Sequence, residues 1–220
     1  LWAASKPIMN SIAARYLGRR SITDLSGIDQ LRFHPRCYYR PAEDDVPGVR
    51  EAWPAMIAAV TDNAGTITGV HRTWLDPQTH DKAAVACPRR AMGHLLGSGV
   101  RFGKADGVMI AGEGLETLLS LRQVMPSMAM IAGLSAAHLA AIQFPAELLC
   151  LYVARDDDPA GATALSTLIE RCEPLGITVI PLEPRLDDFN SDLAAYGHER
   201  LAAAIRVQLS AADAVQFLKV

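Results

Sequence analysis

The sequence lacks several patterns that would place it quickly in a class. Its four cysteines, Cys37, Cys87, Cys150 and Cys172, are far apart and form no CxxC pair, so we expect no zinc ribbon in this chain. No apolar run approaches the roughly 20 residues that a membrane span needs, and no secretory signal opens the sequence. These absences favour a protein of the reducing cytoplasm that binds no membrane.

The charge that is present is distributed unevenly. Residues 1–105 carry 14 Lys and Arg against 9 Asp and Glu, whereas residues 106–220 carry 7 against 15. Basic surfaces attract phosphates and acidic clusters attract cations, although each half could simply have its own solvated surface. We therefore predict a basic α+β subdomain over residues 1–105, an acidic domain over 106–198 and a helical extension over 199–220.

The second half alternates short apolar runs with helical segments. The stretches "GVMIAG", "SMAMIAG", "ELLCLYVA" and "ITVIPL" predict four strands, and helical periodicity separates and follows them. Continuous apolar strands that alternate with helices predict an α/β fold, a parallel four-stranded sheet with helices on both faces. Ligand sites in such sheets lie beyond the carboxyl ends of the strands.

Acidic residues follow three of the four predicted strands. They are Glu113 after the first strand, Asp156, Asp157 and Asp158 after the third, and Asp187 and Asp188 after the fourth. Gathered carboxylates raise one another's pKa values unless a cation neutralises them, and a hard divalent ion, Mg²⁺ or Mn²⁺, suits oxygen ligands. Because alternate residues of an extended segment point the same way, we expect Asp156 and Asp158 to face the metal and Asp157 to face elsewhere.

Two of these motifs resemble a known family. "MIAGEG" together with "YVARDDDPAG" is similar to the Toprim domain, the metal-binding catalytic fold of DnaG-type primases, topoisomerases and some nucleases. The similarity to DnaG-type primases is closest, because Asp156, Asp158, Ala160 and Gly161 reproduce their DxDxAG element. The segment "DDFNSDL" resembles the third acidic element of primases that are encoded on plasmids, phages and other mobile genetic elements.

The resemblance implies which acids are catalytic. The implied metal-binding set is Glu113, Asp156 and Asp158, assisted by Asp188 and Asp187. The sequence departs from the family at one place, because DnaG-type primases usually have an acid four residues after the glutamate. Thr117 stands at that place here, and Glu116 lies one residue earlier. Whether Glu116 substitutes for the missing acid is left open by the sequence.

The basic half also fits the resemblance. "MIAAVTDNAGTITGVHRTWL" predicts two strands around the turn "DNAG", with Arg72 and Trp74 on one face and His71 on the other. It resembles the subdomain that precedes Toprim in DnaG-type primases and contacts template and nucleotides. The candidate phosphate contacts are Arg72, Arg89, Arg90 and Arg101, for each of which an ordinary surface arginine is the alternative.

The resemblance implies a DNA primase core, a nucleotidyltransferase that makes short RNA primers on single-stranded DNA from nucleoside triphosphates with Mg²⁺. One alternative is a Toprim nuclease, although such nucleases are often fused to an ATPase and no GxxxxGK[ST] motif occurs here. Another is a catalytically weak Toprim module that only binds nucleic acid. Since the sequence begins at Leu1, we expect that the family's zinc ribbon either lies upstream in a longer protein or is not needed. A replicative helicase is a further expected partner.

Overall fold

The computed structural model describes residues 1–218, and its first half is built on a five-stranded antiparallel sheet. The strands are adjacent in chain order: β1 (Lys6–Pro7), β2 (Leu31–Tyr38), β3 (Ala52–Thr61), β4 (Ile67–Trp74) and β5 (Arg89–Gly93). Helix α1 (Ile12–Arg19) begins at Ser11, whose side chain accepts a hydrogen bond from the backbone N–H of Ala14.

The turn between β3 and β4 follows from its own sequence. Asp62 Oδ1 accepts hydrogen bonds from the backbone N–H groups of Ala64 and Thr66, each at 2.9 Å. Gly65 adopts a φ of +79°, which a side chain would disfavour. The structure thus contains the two strands predicted around "DNAG". Adjacent residues of β4, including His71 and Arg72, point to opposite faces of the sheet.

The second sheet has the order β10-β9-β7-β8-β6. Its strands are β6 (Val100–Phe102), β7 (Val108–Gly112), β8 (Met130–Ala132), β9 (Cys150–Ala154) and β10 (Thr178–Leu182). The four strands from β7 to β10 pair in parallel, as the alternation of apolar runs and helices predicts. Strand β6 was not predicted; it is three residues long and pairs antiparallel with β8 at the edge.

Helices cover both faces of this sheet. They are α2 (Leu115–Val124), α3 (Ala136–Ala141), α4 (Pro159–Cys172), α5 (Phe189–Arg206) and α6 (Ala211–Phe217). Leu118 of α2 and Leu193 of α5 are buried in one apolar cluster, whereas Leu139 of α3 and Leu168 of α4 are buried in another on the opposite face. Helix α5 bends at Gly197, whose φ of 78° interrupts the helical backbone. The predicted α/β class is therefore confirmed.

The parallel strands end in line. Gly112, the last residue of β7, is opposite Ala154 of β9, and Ala154 is opposite Leu182 of β10. The loops after these three strands therefore leave the sheet along one edge. This alignment is what brings distant acidic segments of the chain together.

The two halves share one apolar core. Leu17 of α1 and Met56 of β3 belong to the same buried cluster as Leu119 of α2 and Ile205 of α5. The boundary near residue 105 stays a prediction, since burial is continuous across it. No helix among residues 1–218 is long and apolar enough to cross a membrane.

Candidate active site

The acidic edge of the parallel sheet forms one wall of a cavity of about 500 Å³. Glu113, Asp156 and Asp188, which follow β7, β9 and β10, line it. Glu113 and Asp156 are 43 positions apart in the chain, and Asp156 and Asp188 are 32 positions apart. Only the aligned strand ends bring them to one place. The cavity therefore lies where open parallel sheets bind their ligands.

Asp156 has the most perturbed carboxyl group of this wall. Its Oδ1 atom is buried and has no hydrogen-bond partner. Burial is the largest cause that raises the pKa of Asp156 to about 6, followed by the negative charges of Glu113 and Asp188, with a smaller increment from Asp158. The pKa of Glu113 is also raised, by burial and then by Asp158. The wall thus holds more negative charge than it can stabilise by itself.

The three consecutive aspartates have three different environments. Asp156 faces the cavity. Asp157 is exposed and pairs with Arg155, the two charged groups lying 3.1 Å apart. Asp158 is the N-cap of α4, because its Oδ1 accepts a hydrogen bond from the Gly161 N–H at 2.7 Å. Asp157 thus points away from the cavity, but Asp158 is not among the lining residues either, so a shared site for Asp156 and Asp158 stays a prediction. Asp158 keeps one oxygen outside the cap bond.

The last pair of acids divides in the same way. Asp188 lines the cavity and caps α5, since its Oδ1 accepts a hydrogen bond from the Ser191 N–H at 2.7 Å. Asp187 is exposed and is not among the lining residues. Of the two assisting acids that the resemblance implies, the structure places only Asp188 at the cavity.

The opposite wall is basic and comes from the first half of the chain. Arg89 and Arg90 of β5 and His71 of β4 line it, with Lys82 and Arg20 beside them. Burial is the main cause that lowers the pKa of His71 to about 4, and nearby cations add to the shift. His71 is therefore a neutral imidazole at physiological pH, and its Nδ1 has no partner.

Three of the four predicted arginines direct their guanidinium groups elsewhere. Arg72 stacks on Trp74, with its guanidinium carbon 4.8 Å from the ring centroid, on the far face of the antiparallel sheet. Arg90 is paired directly with Arg72 and points to that same face, where its guanidinium lies 5.0 Å from the Tyr39 ring centroid and donates to the Arg40 carbonyl oxygen. Arg101 lies in a different cavity, and its guanidinium donates to the carbonyl oxygens of Thr61 and Gln143. Of the four, the structure directs only Arg89 toward the acids.

Glu116 is buried between the two walls. Its Oε1 accepts a 2.5 Å hydrogen bond from the Tyr16 hydroxyl, and its Oε2 lies 3.8 Å from Arg89 Nη1. Burial alone would raise the pKa of Glu116, but the Tyr16 hydrogen bond and the Arg89 charge outweigh it and lower that pKa. Thr117, which stands where the family has an acid, also lines the cavity.

Two cavity residues, Lys82 and Arg20, come from a loop and a helix end without a periodic pattern. Tyr16 contacts Glu116 from α1, a helix whose sequence pattern would assign this residue to the core alone. His71 could have been found, because the alternation of β4 places it opposite Arg72.

The carboxylates fit a hard divalent cation. Asp156 offers a buried oxygen without a donor, and Glu113 and Asp188 add charge of the same sign nearby. Within residues 1–218, no group of three or more His, Cys, Asp or Glu side chains is arranged to hold a metal ion. A cation at this edge would therefore take most of its ligands from water or phosphate oxygens, as Mg²⁺ can when one or two carboxylates bind it.

Comparisons with known families divide the chain in two. Residues 108–199 match the Toprim domain, and residues 1–102 match a domain of unknown function, DUF7146. A search of curated proteins finds no match.

Solved structures resemble the chain over nearly its whole length. A DNA primase domain from Pseudomonas aeruginosa is 18% identical with a TM-score of 0.60, over 94% of this chain and 76% of that one. The primase fragment of the bacteriophage T7 primase-helicase is 15% identical with a TM-score of 0.54, over 93% and 74%. The RNA polymerase domain of Mycobacterium tuberculosis primase DnaG, in complex with a DNA oligomer, is 15% identical with a TM-score of 0.52, over 93% and 75%. Residues 108–199 thus match the Toprim domain, and the chain has the fold of these primase fragments and domains.

Proposed function

We propose that this protein is a primase-like nucleotidyltransferase that makes short RNA primers on single-stranded DNA from nucleoside triphosphates. The observation that carries the proposal is the cavity with two unlike walls. Glu113, Asp156 and Asp188 form its acidic wall, and Arg89 and Lys82 line the basic wall. A reaction between polyphosphates needs both, since one wall attracts cations and the other attracts phosphates.

The chain's own residues would bind and orient the reactants. Glu113, Asp156 and Asp158 would hold Mg²⁺, or Mn²⁺ in its place, with Asp188 and Asp187 assisting. When bound, such ions stabilise the charge that develops on the transferring phosphoryl group. Arg89 would contact triphosphate oxygens, and Arg90, which shares the far face of the sheet with Arg72, would contact the template backbone. No side-chain nucleophile is required, because a nucleotide 3′-oxygen attacks the α-phosphate and pyrophosphate leaves.

The remaining parts of the proposal rest on the sequence. The basic residues 1–105 would contact template and nucleotide, with Arg72 and Arg101 binding phosphates outside the cavity. Residues 106–198 would form the catalytic domain, and residues 199–220 would be a C-terminal extension. A replicative helicase and an upstream zinc-ribbon module are the proposed partners. The "DDFN" segment favours DNA replication of a mobile genetic element, and the unpaired cysteines favour the cytoplasm.

The test is primer synthesis on single-stranded DNA with labelled ribonucleotides and Mg²⁺ or Mn²⁺. Glu113→Gln and Asp156→Asn should reduce product at least about 100-fold, because each removes a charge that holds the cation. Asp157→Asn is the matched control from the same triplet and should retain activity, since Asp157 is exposed and paired with Arg155.

The same reactions distinguish the alternatives. Cleaved template without short products would assign the protein to the Toprim nucleases. DNA binding without either product, equal in the wild type and the variants, would indicate a binding module. The neutral Thr117 in the cavity wall is the feature that favours this weaker activity.

A further inference from the structure

Glu116 is the most deeply buried carboxylate that faces the basic wall of the cavity. Only 7% of the residue is exposed, and it lies on the first turn of α2. Both of its oxygens face the first half of the chain, one toward Tyr16 of α1 and the other toward Arg89 of β5. A carboxylate buried at a junction needs such partners, because an unpaired one is strongly destabilising.

The partners of Glu116 make it a counter-ion of the basic wall rather than a member of the acidic one. Its carboxylate interacts electrostatically with Arg89 and Lys82, and its two oxygens already have a hydrogen bond and an ion pair. Asp156, in contrast, has a buried oxygen without any partner. A cation that recruited Glu116 would have to break contacts that Asp156 does not have.

Arg89 has anions on two sides. Its guanidinium pairs with Glu116, and its charge also reaches Glu113 and Asp156 across the cavity. Nearly half of its side chain, 48%, is exposed, so the guanidinium has room to move. If the charge of Glu116 were removed, the carboxylates of the acidic wall would be the strongest remaining attraction for Arg89.

We propose that Glu116 is a positioning residue whose charge keeps Arg89 on the basic wall and away from the carboxylates of Glu113 and Asp156. Arg89 then remains available for phosphate oxygens, and the acids remain available for a divalent cation. The inference rests on the proposed function for the presence of that cation. It also gives Glu116, the neighbour of Thr117, a role other than metal ligand in a chain where Thr117 stands in place of the family's acid.

The test measures Mn²⁺ binding by electron paramagnetic resonance, without nucleotide or DNA, in the full chain. In Glu116→Gln, Arg89 should compete with Mn²⁺ for the acids, and binding should weaken roughly five- to tenfold. In the double variant Glu116→Gln/Arg89→Gln the competitor is gone, so affinity should return to within about twofold of the wild type. Such rescue is not expected if Glu116 is itself a metal ligand, because removing Arg89 would not replace the lost oxygen.

Matched variants separate charge from structure. Tyr16→Phe removes the hydrogen bond but keeps the carboxylate, and its Mn²⁺ affinity should stay within about twofold of the wild type. Glu170→Gln, an exposed acid of α4, should also bind normally. Thermal melts of every variant report the fraction folded. If Glu116→Gln does not fold, Arg89→Gln alone tests the proposal, and it should bind Mn²⁺ at least as tightly as the wild type.

Three results would overturn the proposal. The first is unchanged Mn²⁺ binding in Glu116→Gln. The second is weakened binding in Glu116→Gln that the added Arg89→Gln change does not restore, because that result would make Glu116 a ligand or a scaffold residue. The third is weaker binding in Arg89→Gln alone. The measurement needs no primer synthesis, so a chain that binds Mn²⁺ but makes no product would refute the proposed function without affecting this inference.

Discussion

At the scale of the residue, three like-charged neighbours have separate tasks. Asp157 is neutralised by Arg155 and Asp158 caps α4, so Asp156 is the one whose buried oxygen lacks a partner. The raised pKa of Asp156 follows from this burial and from its acidic neighbours. The run therefore presents the Asp156 carboxylate to the cavity, while Asp157 pairs with Arg155 and one oxygen of Asp158 caps α4.

His71 gives a prediction about pH at the same scale. Its folded-state pKa, about 4, lies below the usual 6.5, so the unfolded chain binds more protons between these values. The free energy of unfolding should fall by up to about 3 kcal/mol as pH drops from 6.5 toward 4. Urea titrations at pH 7.5 and pH 5 measure the free energy of unfolding at each pH. The decrease between the two should be smaller in His71→Gln than in the wild type, because the variant lacks the imidazole.

The controls for this measurement are built into the chain. His94 is an exposed histidine, and His94→Gln should keep the wild-type dependence on pH. Asp156 acts in the opposite direction, because its folded-state pKa is raised and its protonation stabilises the fold as pH falls. The difference between wild type and His71→Gln therefore isolates the histidine. An identical pH dependence in both proteins would contradict the prediction.

At the scale of the element, the loop between β9 and α4 depends on Gly161. A Cβ atom at this position would lie 2.6 Å from the backbone oxygen of Asp156, and a backbone atom cannot move aside cheaply. We expect Gly161→Ala to cost about 1–3 kcal/mol in stability and to weaken Mn²⁺ binding by displacing Asp156. Chemical denaturation and Mn²⁺ titration would measure the two effects.

Gly18 provides the matched control. It lies within α1, has no positive φ, and has nothing within 4 Å of an added Cβ. Gly18→Ala should therefore stabilise the protein by about 0.5–1 kcal/mol through helix propensity. Equal effects of the two substitutions would show that the close approach at Gly161 is unimportant.

Element-scale patterns were predictable where local chemistry determines them. The apolar runs of β7 to β10 are continuous, and the predicted strands are observed there. Ser135 caps α3 and Pro159 opens α4, which are positions that these residue types favour. Strand β5 has the sequence "RRAMG" and β6 has only three residues. Neither sequence shows a periodic apolar pattern. Each segment forms a strand because it pairs with a neighbouring strand, and that pairing cannot be read from its own sequence.

The site was predictable on its acidic side, whereas on its basic side the sequence identified Arg89 but not Lys82. Carboxylates placed after parallel strands must meet at one edge, so Glu113 and Asp156 could be paired from sequence alone. The basic wall depends on how the antiparallel sheet docks, which no local pattern encodes. That docking brings Lys82 and Arg89 to the cavity and leaves Arg72 and Arg101 outside it.

At the scale of the whole molecule, the cavity exists only because the two halves pack against each other. Its acidic wall belongs to the parallel sheet and its basic wall to the antiparallel sheet. One buried cluster contains residues of both, among them Leu17 of α1 and Leu119 of α2. Neither half can therefore expose its side of that core to water without a large loss of hydrophobic stabilisation.

The shared core predicts that the protein unfolds as one cooperative unit. Calorimetry should show a single transition, and Leu17→Ala should lower its midpoint as a whole, since emptying a fully buried leucine site costs about 2–5 kcal/mol. Leu96→Ala is the control, because Leu96 is 78% exposed and its loss should change stability by less than about 0.5 kcal/mol. Two transitions, of which Leu17→Ala moved only one, would mean that the halves fold separately and that the cavity forms by their later docking.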